Sequence, residues 1–211
     1  MIRNLFPFCF FVFLISFCYS QEKSSLFKNY QSLSPNEKCW VFLHPLVANK
    51  ALKISNHTLL IVQKIKTDTL LDGDLAGGCV DAFRHAFWMA SLSKEINWRK
   101  ALKLGIAHEK GNKKQFEKGF KEEGVCPDSA GMEMDLFNNR YGILLGKQFK
   151  KTTEPELIEM VIKAIVNGNL LVIKKDQKGN SLDKEGNIIT GWEGQWVNKR
   201  VTVCSDYVRE K

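Results

Sequence analysis

The chain has 211 residues, 44% of them hydrophobic, and a formal charge of +8. That length supports one domain with a real core, and the lysines are spread out without an interleaved aromatic ladder, so nothing marks a dedicated nucleic-acid binder. The basic balance suits phosphate-rich or anionic-surface partners.

Arg3 and the apolar run from Leu5 to Phe17 read as a signal peptide over 1–20, cleaved after Ser20. The run is too short for a comfortable membrane span, so an exported chain, periplasmic or extracellular, with no stable span after cleavage is expected. A helical domain over 34–168 follows, then a C-terminal β element over 169–211 packed on the same domain. No internal repeat is evident. Cys39, Cys79, Cys126 and Cys204 remain after cleavage and are compatible with two disulfides in any of three connectivities. A Cys79–Cys126 bridge would tether two walls of the polar centre described below.

Residues 21–33 are polar and are expected to fray. Ser34-Pro35-Asn36-Glu37 is a helix start with a serine cap, a proline in the first turn and a glutamate three after the cap. Pro45 is expected to bend that helix or begin another. Leu52, Leu59, Leu60 and Ile65 have helical spacing, with Asn56-His57-Thr58, which also matches the glycosylation triplet, as a candidate break. The run Asp72-Gly73-Asp74-Leu75-Ala76-Gly77-Gly78 reads as a flexible approach to a helix running to about Glu95. Trp98 to Glu109 forms the next helix, stopped by Gly111-Asn112. A lysine-rich surface loop over 112–128, a helix carrying Asp135 towards Leu145, and a Thr153-capped helix stopped at Gly168 come next. Leu170–Ile173 reads as a strand, Gly179-Asn180 and Glu185-Gly186-Asn187 as turns, and Arg200–Cys204 as a returning strand, with Trp192 and Trp196 packing it down. The expected fold is mainly α, a compact helical domain with a small C-terminal β-hairpin-like element.

The chemistry concentrates in Asp81-Ala82-Phe83-Arg84-His85-Ala86-Phe87-Trp88. Asp81 and His85 are four apart and share a helix face beside packed aromatics. His108-Glu109 and Asp135 with Asn138-Asn139 follow on later helices. Asp81, His85, His108 and Asp135 are a donor set for one divalent ion, Zn or Mn, which would lower the pKa of a bound water. Glu109 is a candidate general base, although neighbouring helix residues point about 100° apart, so His108 and Glu109 need not face one pocket. Arg84 would neutralise a phosphate or pair with an acid. In a metal-free arrangement His85 is the base, Asp81 or Asp135 holds its tautomer, and Asn138 and Asn139 donate to an oxyanion. In a purely structural one, the same groups form a satisfied hydrogen-bond network that fixes helix packing.

Taken together, Asp81–Trp88, Ala107–Glu109 and Met134–Asn139 resemble a bacterial family of exported or toxin-associated domains of unknown function. Its pattern is Asp-Ala-Phe-Arg-His-Ala-aromatic-Trp, then Ala-His-Glu, then Met-Asp-Leu-aromatic-Asn-Asn. The resemblance spans roughly 35–145 and implies that Asp81, Arg84, His85, Trp88, His108, Glu109, Asp135, Asn138 and Asn139 belong to one site; it implies no reaction. Gly77-Gly78-Cys79-Val80 departs from the family's lead-in. The order His85, His108-Glu109, Asp135 is loosely similar to that of helical metal-dependent phosphohydrolases, with Glu109 as a departure. Two functional expectations follow. One is a metal-assisted hydrolase of phosphoester or lipid substrates; the other is a non-enzymatic secreted binding or envelope protein whose polar cluster is structural.

Overall fold

A computed structural model of the chain describes residues 30–67, 70–119 and 125–209. The expected signal peptide and its cleavage point, and part of the lysine-rich excursion, lie outside the described residues. The helices are α1 (Pro35–Leu43), α2 (Pro45–Lys66), α3 (Cys79–Glu95), α4 (Trp98–Phe116), α5 (Ser129–Gln148) and α6 (Glu154–Val166). Two short strands, β1 (Leu171–Ile173) and β2 (Thr202–Cys204), and a 3₁₀ turn at Ser205–Arg209 complete a mainly α fold. No helix among the described residues is long and apolar enough to cross a membrane.

α3 is the axis of the molecule. Twelve of its seventeen residues are buried, so it has no solvent stripe of the usual width. One side carries Phe83 and Phe87, whose rings stack at 5.3 Å, into a core shared with Ile61 and Val62 of α2 and Val161 and Ile165 of α6. The other side sets Met89 and Leu92 against Trp40, Ala101 and Leu104. α5 lies directly on α3 because Gly142 and Gly146 meet the carbonyls of Ala86 and Ala90; a Cβ at either glycine would run into that backbone. Small residues four apart on both helices bring the polar side chains of α3 and α5 within reach of one another.

Several boundaries differ from the sequence reading. His44 alone separates α1 from α2, as the C-cap of one and the N-cap of the other. α2 runs unbroken through Asn56-His57-Thr58. α4 passes Gly111-Asn112 and ends at Phe116, because Gly111 is not a stop signal. It is the point where α4 touches Ser34, and a Cβ there would strike the serine side chain.

β1 and β2 pair antiparallel, Leu171 with Cys204 and Ile173 with Thr202. The other edge of β1 is also occupied. The Leu171 amide donates to Asn138 Oδ1 (2.9 Å), Asn138 Nδ2 donates to the Leu171 carbonyl (2.9 Å), and the Ile173 amide donates to the Gly77 carbonyl (2.7 Å). An edge strand is thereby closed against further pairing. Beyond it, Asp176–Asn180 and Asp183–Asn187 repeat one turn, Asp-x-x-Gly-Asn. In each, the aspartate Oδ1 accepts the asparagine amide at 2.8 Å and the glycine has positive φ. This short repeat corrects the expectation of none. Trp196 packs on Phe116 at 5.3 Å and its carbonyl accepts from the Ser129 amide, which holds the C-terminal segment to α4 and α5.

The expected disulfides are absent: no bridge joins Cys39, Cys79, Cys126 and Cys204. Cys39 is exposed on α1 and Cys204 on β2, whereas Cys79 is buried with its thiol 3.9 Å from the Ser205 carbonyl, and Cys126 lies beside the cleft described next.

Candidate metal centre

The loop before α3 is built by its own carboxylates and is not the flexible approach its composition suggests. Asp72 accepts from the amides of Asp74 (3.0 Å), Cys79 (2.8 Å) and Val80 (3.4 Å), so it satisfies donors at the start of α3. Gly77 takes φ +96° and turns its amide onto Asp81 Oδ2 at 2.7 Å. Asp81 therefore begins α3 with one oxygen fixed by backbone. Arg84, one turn on, donates to the other oxygen, Oδ1, from Nη2 at 2.6 Å and from Nε at 3.1 Å.

His85 is fully buried. Burial first, then the positive charges of Arg84 and His108, hold its pKa well below the usual imidazole value, against the opposing bond to Asn139. The ring is neutral and carries one N–H and one lone pair. Nδ1 lies 3.2 Å from Asn139 Oδ1, which accepts its proton. The lone pair is then on Nε2, which faces Asp135 Oδ1 at 3.2 Å and Asp81 Oδ1 at 3.6 Å but aligns with neither as a hydrogen bond. A lone pair and two carboxylate oxygens thus converge in a buried volume, with all three atoms within 4.8 Å of one another. Ligands of a tetrahedral ion at bond lengths near 2.1 Å stand about 3.4 Å apart, and the two spacings from His85 Nε2 bracket that value.

The other sequence candidates divide. Glu109 joins the centre from α4; it is buried, with Oε1 3.9 Å from His85 Nδ1, and Asn112 Nδ2 donates to its Oε2 at 3.5 Å. His108 does not join the trio. It turns the other way from its neighbour, as the 100° rule implies, so its Nδ1 meets Glu37 Oε1 at 3.0 Å and its ring meets Trp88 edge-on at 5.5 Å. Its ring centroid is 6.4 Å from that of His85. Asn139 orients His85, and Gly105 leaves room for it: a Cβ there would crowd Asn139 Nδ2. Asn138 spends its amide on Leu171 and serves the strand, not an oxyanion.

Three contributors were not singled out as site residues from the sequence. Glu37 was read only as a cap, yet one of its oxygens accepts the Ser34 amide (2.8 Å) while the other holds His108. Burial would raise its pKa, but the bond and charge of His108 and the bonds from Ser34 outweigh this and bring it to about 2. Asp128 and Arg200 form a buried ion pair at 2.9 Å, with the guanidinium 4.0 Å above Trp192. No local spacing links residues this far apart in the chain.

Asp81, Arg84, Glu109, Asp135, Asp128 and Arg200 all line a small cleft of about 60 Å³ that opens to solvent. On the far side of Arg84 lies a second, mostly apolar groove of about 270 Å³, walled by Trp40, Ala51, Leu52, Trp88 and Leu104 and bearing His108 and Glu37. Arg84 belongs to both.

Residues 38–169 match the family described as Domain of unknown function DUF6973. The chain belongs to this family. No curated protein and no solved structure matches it. The DUF6973 match contains the His85 trio, Arg84 and Glu109, whereas Glu37, at its N-terminal side, and Arg200, in the C-terminal segment, fall outside it.

Proposed function

We propose that Asp81, His85 and Asp135 bind a divalent cation, Zn or Mn, and that the protein is a metal-assisted hydrolase of an anionic ester, a phosphoester or a lipid. The observation that supports this reading is the buried neutral imidazole whose Nε2 faces two carboxylate oxygens at 3.2 and 3.6 Å. Arg84 already offsets Asp81 Oδ1, and the lone pair facing Asp135 Oδ1 at 3.2 Å is relieved by a proton or by a metal cation between them. When bound, such an ion supplies a hydroxide near neutral pH and polarises the ester oxygen. Glu109 lines the same cleft and takes the proton from the attacking water. Arg84, fixed by Asp81, faces the charge that builds on the ester oxygens, and Asn139 keeps the His85 lone pair turned to the ion. The apolar run at Leu5–Phe17 supports an exported protein acting in the periplasm or outside the cell.

A non-catalytic polar core that serves a binding or envelope protein is the second reading. It is favoured by Asp81, both of whose oxygens already accept hydrogen bonds from Gly77 and Arg84. Elemental analysis after dialysis into Zn or Mn separates the two. About one equivalent in the wild type, lost in Asp135→Ala and in His85→Ala but kept in His108→Ala, is the expected result. Absence of the ion from the wild type, or its retention in Asp135→Ala, overturns the proposal.

A further inference from the structure

The corner between α1 and α2 presents apolar side chains that none of the described residues covers. Phe42, Leu43 and Leu46 are 80%, 63% and 96% exposed and fall within five residues across the single-residue turn at His44. Single exposed apolar residues are ordinary, but three crowded on one corner are not. The corner is rigidly held from beneath. The Trp40 ring meets His44 edge-on at 5.1 Å, and its Nε1 donates to the Lys100 carbonyl at 2.9 Å, which ties the corner to the first turn of α4.

That contact also brings basic charge to the corner. Lys100 and Lys103 of α4 lie close enough to His44 to depress its pKa, after the larger effect of burial. Lys50, one turn beyond Leu46, is paired with Glu95 at 2.6 Å, so the acid facing this side is already matched. The pattern is an apolar tip with cations behind it. Helix ends that rest in a lipid interface combine these features, with apolar side chains below the headgroups and lysines among the lipid phosphates.

We propose that the Phe42–Leu46 corner docks the protein onto an anionic phospholipid bilayer. Two observations favour this occupant over others. The tip consists of three side chains, too little area for a stable dimer with a second copy. It is also continuous with the groove that leads inward, since Trp40, Val41 and Ala48 of the same two helix ends line that groove, whose inner wall is Arg84 and His108. The same two helix ends thus supply both the exposed corner and part of the lining of the groove that reaches Arg84. The docking does not depend on the proposed cation, and Asp135→Ala is expected to bind vesicles like wild type, so failure of one proposal leaves the other standing.

The test is sedimentation of the full chain with vesicles of mixed phosphatidylglycerol and phosphatidylcholine, and with phosphatidylcholine alone. Because Leu5–Phe17 is itself apolar, the readout is the difference between wild type and variants of the same chain. Phe42→Ser with Leu46→Ser should weaken apparent binding by about tenfold or more, with unchanged circular dichroism and melting, since both side chains are exposed. Lys100→Glu with Lys103→Glu should weaken binding to the anionic vesicles alone and flatten its salt dependence. Absence of wild-type binding, or equal binding by the apolar double variant, overturns the proposal. So does a wild-type dimer in sedimentation velocity that the same variant dissolves, because the corner would then belong to a second copy.

Discussion

His85 and His108 have rings 6.4 Å apart, and from the sequence both are candidate ligands of one ion, yet they differ in burial and in partners. His85 is enclosed, neutral and aimed at Asp81 of its own helix and Asp135 of α5. His108 is half-buried at the wall of the apolar groove and spends Nδ1 on Glu37, whose carboxyl it helps hold near pKa 2. Burial and the positive charges beside it hold the His85 imidazole below its usual pKa, whereas His108 keeps partial exposure and a single carboxylate partner. The same residue type thus faces a buried pair of aspartates in one place and a partly buried glutamate in the other.

The sharpest way to break this comparison is to truncate each histidine. His85→Ala should cost roughly 2–4 kcal/mol in denaturant unfolding, because it opens a buried void and strips Asn139 of its partner, and it should abolish cation binding. His108→Ala should leave cation binding intact. Equal loss of the ion in both variants would put His108 back among the ligands.

Acid resolves the two sites by pH. Unfolded His85 takes up a proton below about 6.5, while the folded ring resists. The unfolded state then binds more protons, so stability declines as pH falls from 6.5. Glu37 is depressed from 4.5 to about 2, so its contribution is complete above 4.5 and disappears as pH falls towards 2. That contribution amounts to at most about 3 kcal/mol. Unfolding free energies measured from pH 7.5 down to 2.5 should show two limbs, with the upper one missing in His85→Gln and the lower one missing in Glu37→Gln. A lower limb unchanged in Glu37→Gln would sink the assignment of Glu37.

The smallest effect distinguishes the adjacent asparagines. Asn138→Ala should cost about 1–2 kcal/mol by releasing both backbone groups of Leu171, with cation binding unchanged. Loss of the ion in that variant would mean that β1 positions the centre more directly than the hydrogen bonds indicate.

Local physics made much of this legible in the chain. The Ser34 and Thr153 capping boxes, the start of α3 beside Gly78 and the i,i+4 placement of Asp81 with His85 all follow from short-range spacing. Glycine was the main source of error. Gly111 looked like a helix stop and is a contact point, and Gly77 looked like slack and is a fixed donor, because a glycine's local freedom is the same whether a turn or a neighbour requires it.

The sequence by itself determined the elements and the residue types at the polar centre, since helical periodicity and capping act within a few positions. Only the tertiary structure decided which way each side chain turned. The choice of Glu109 over His108 for the His85 pocket, of Asn139 over Asn138 for the imidazole, and of Glu37 and Arg200 as neighbours rests on contacts between residues distant in the chain. Those contacts exist because Gly142 and Gly146 let α5 close on α3, a packing distance that no local pattern encodes.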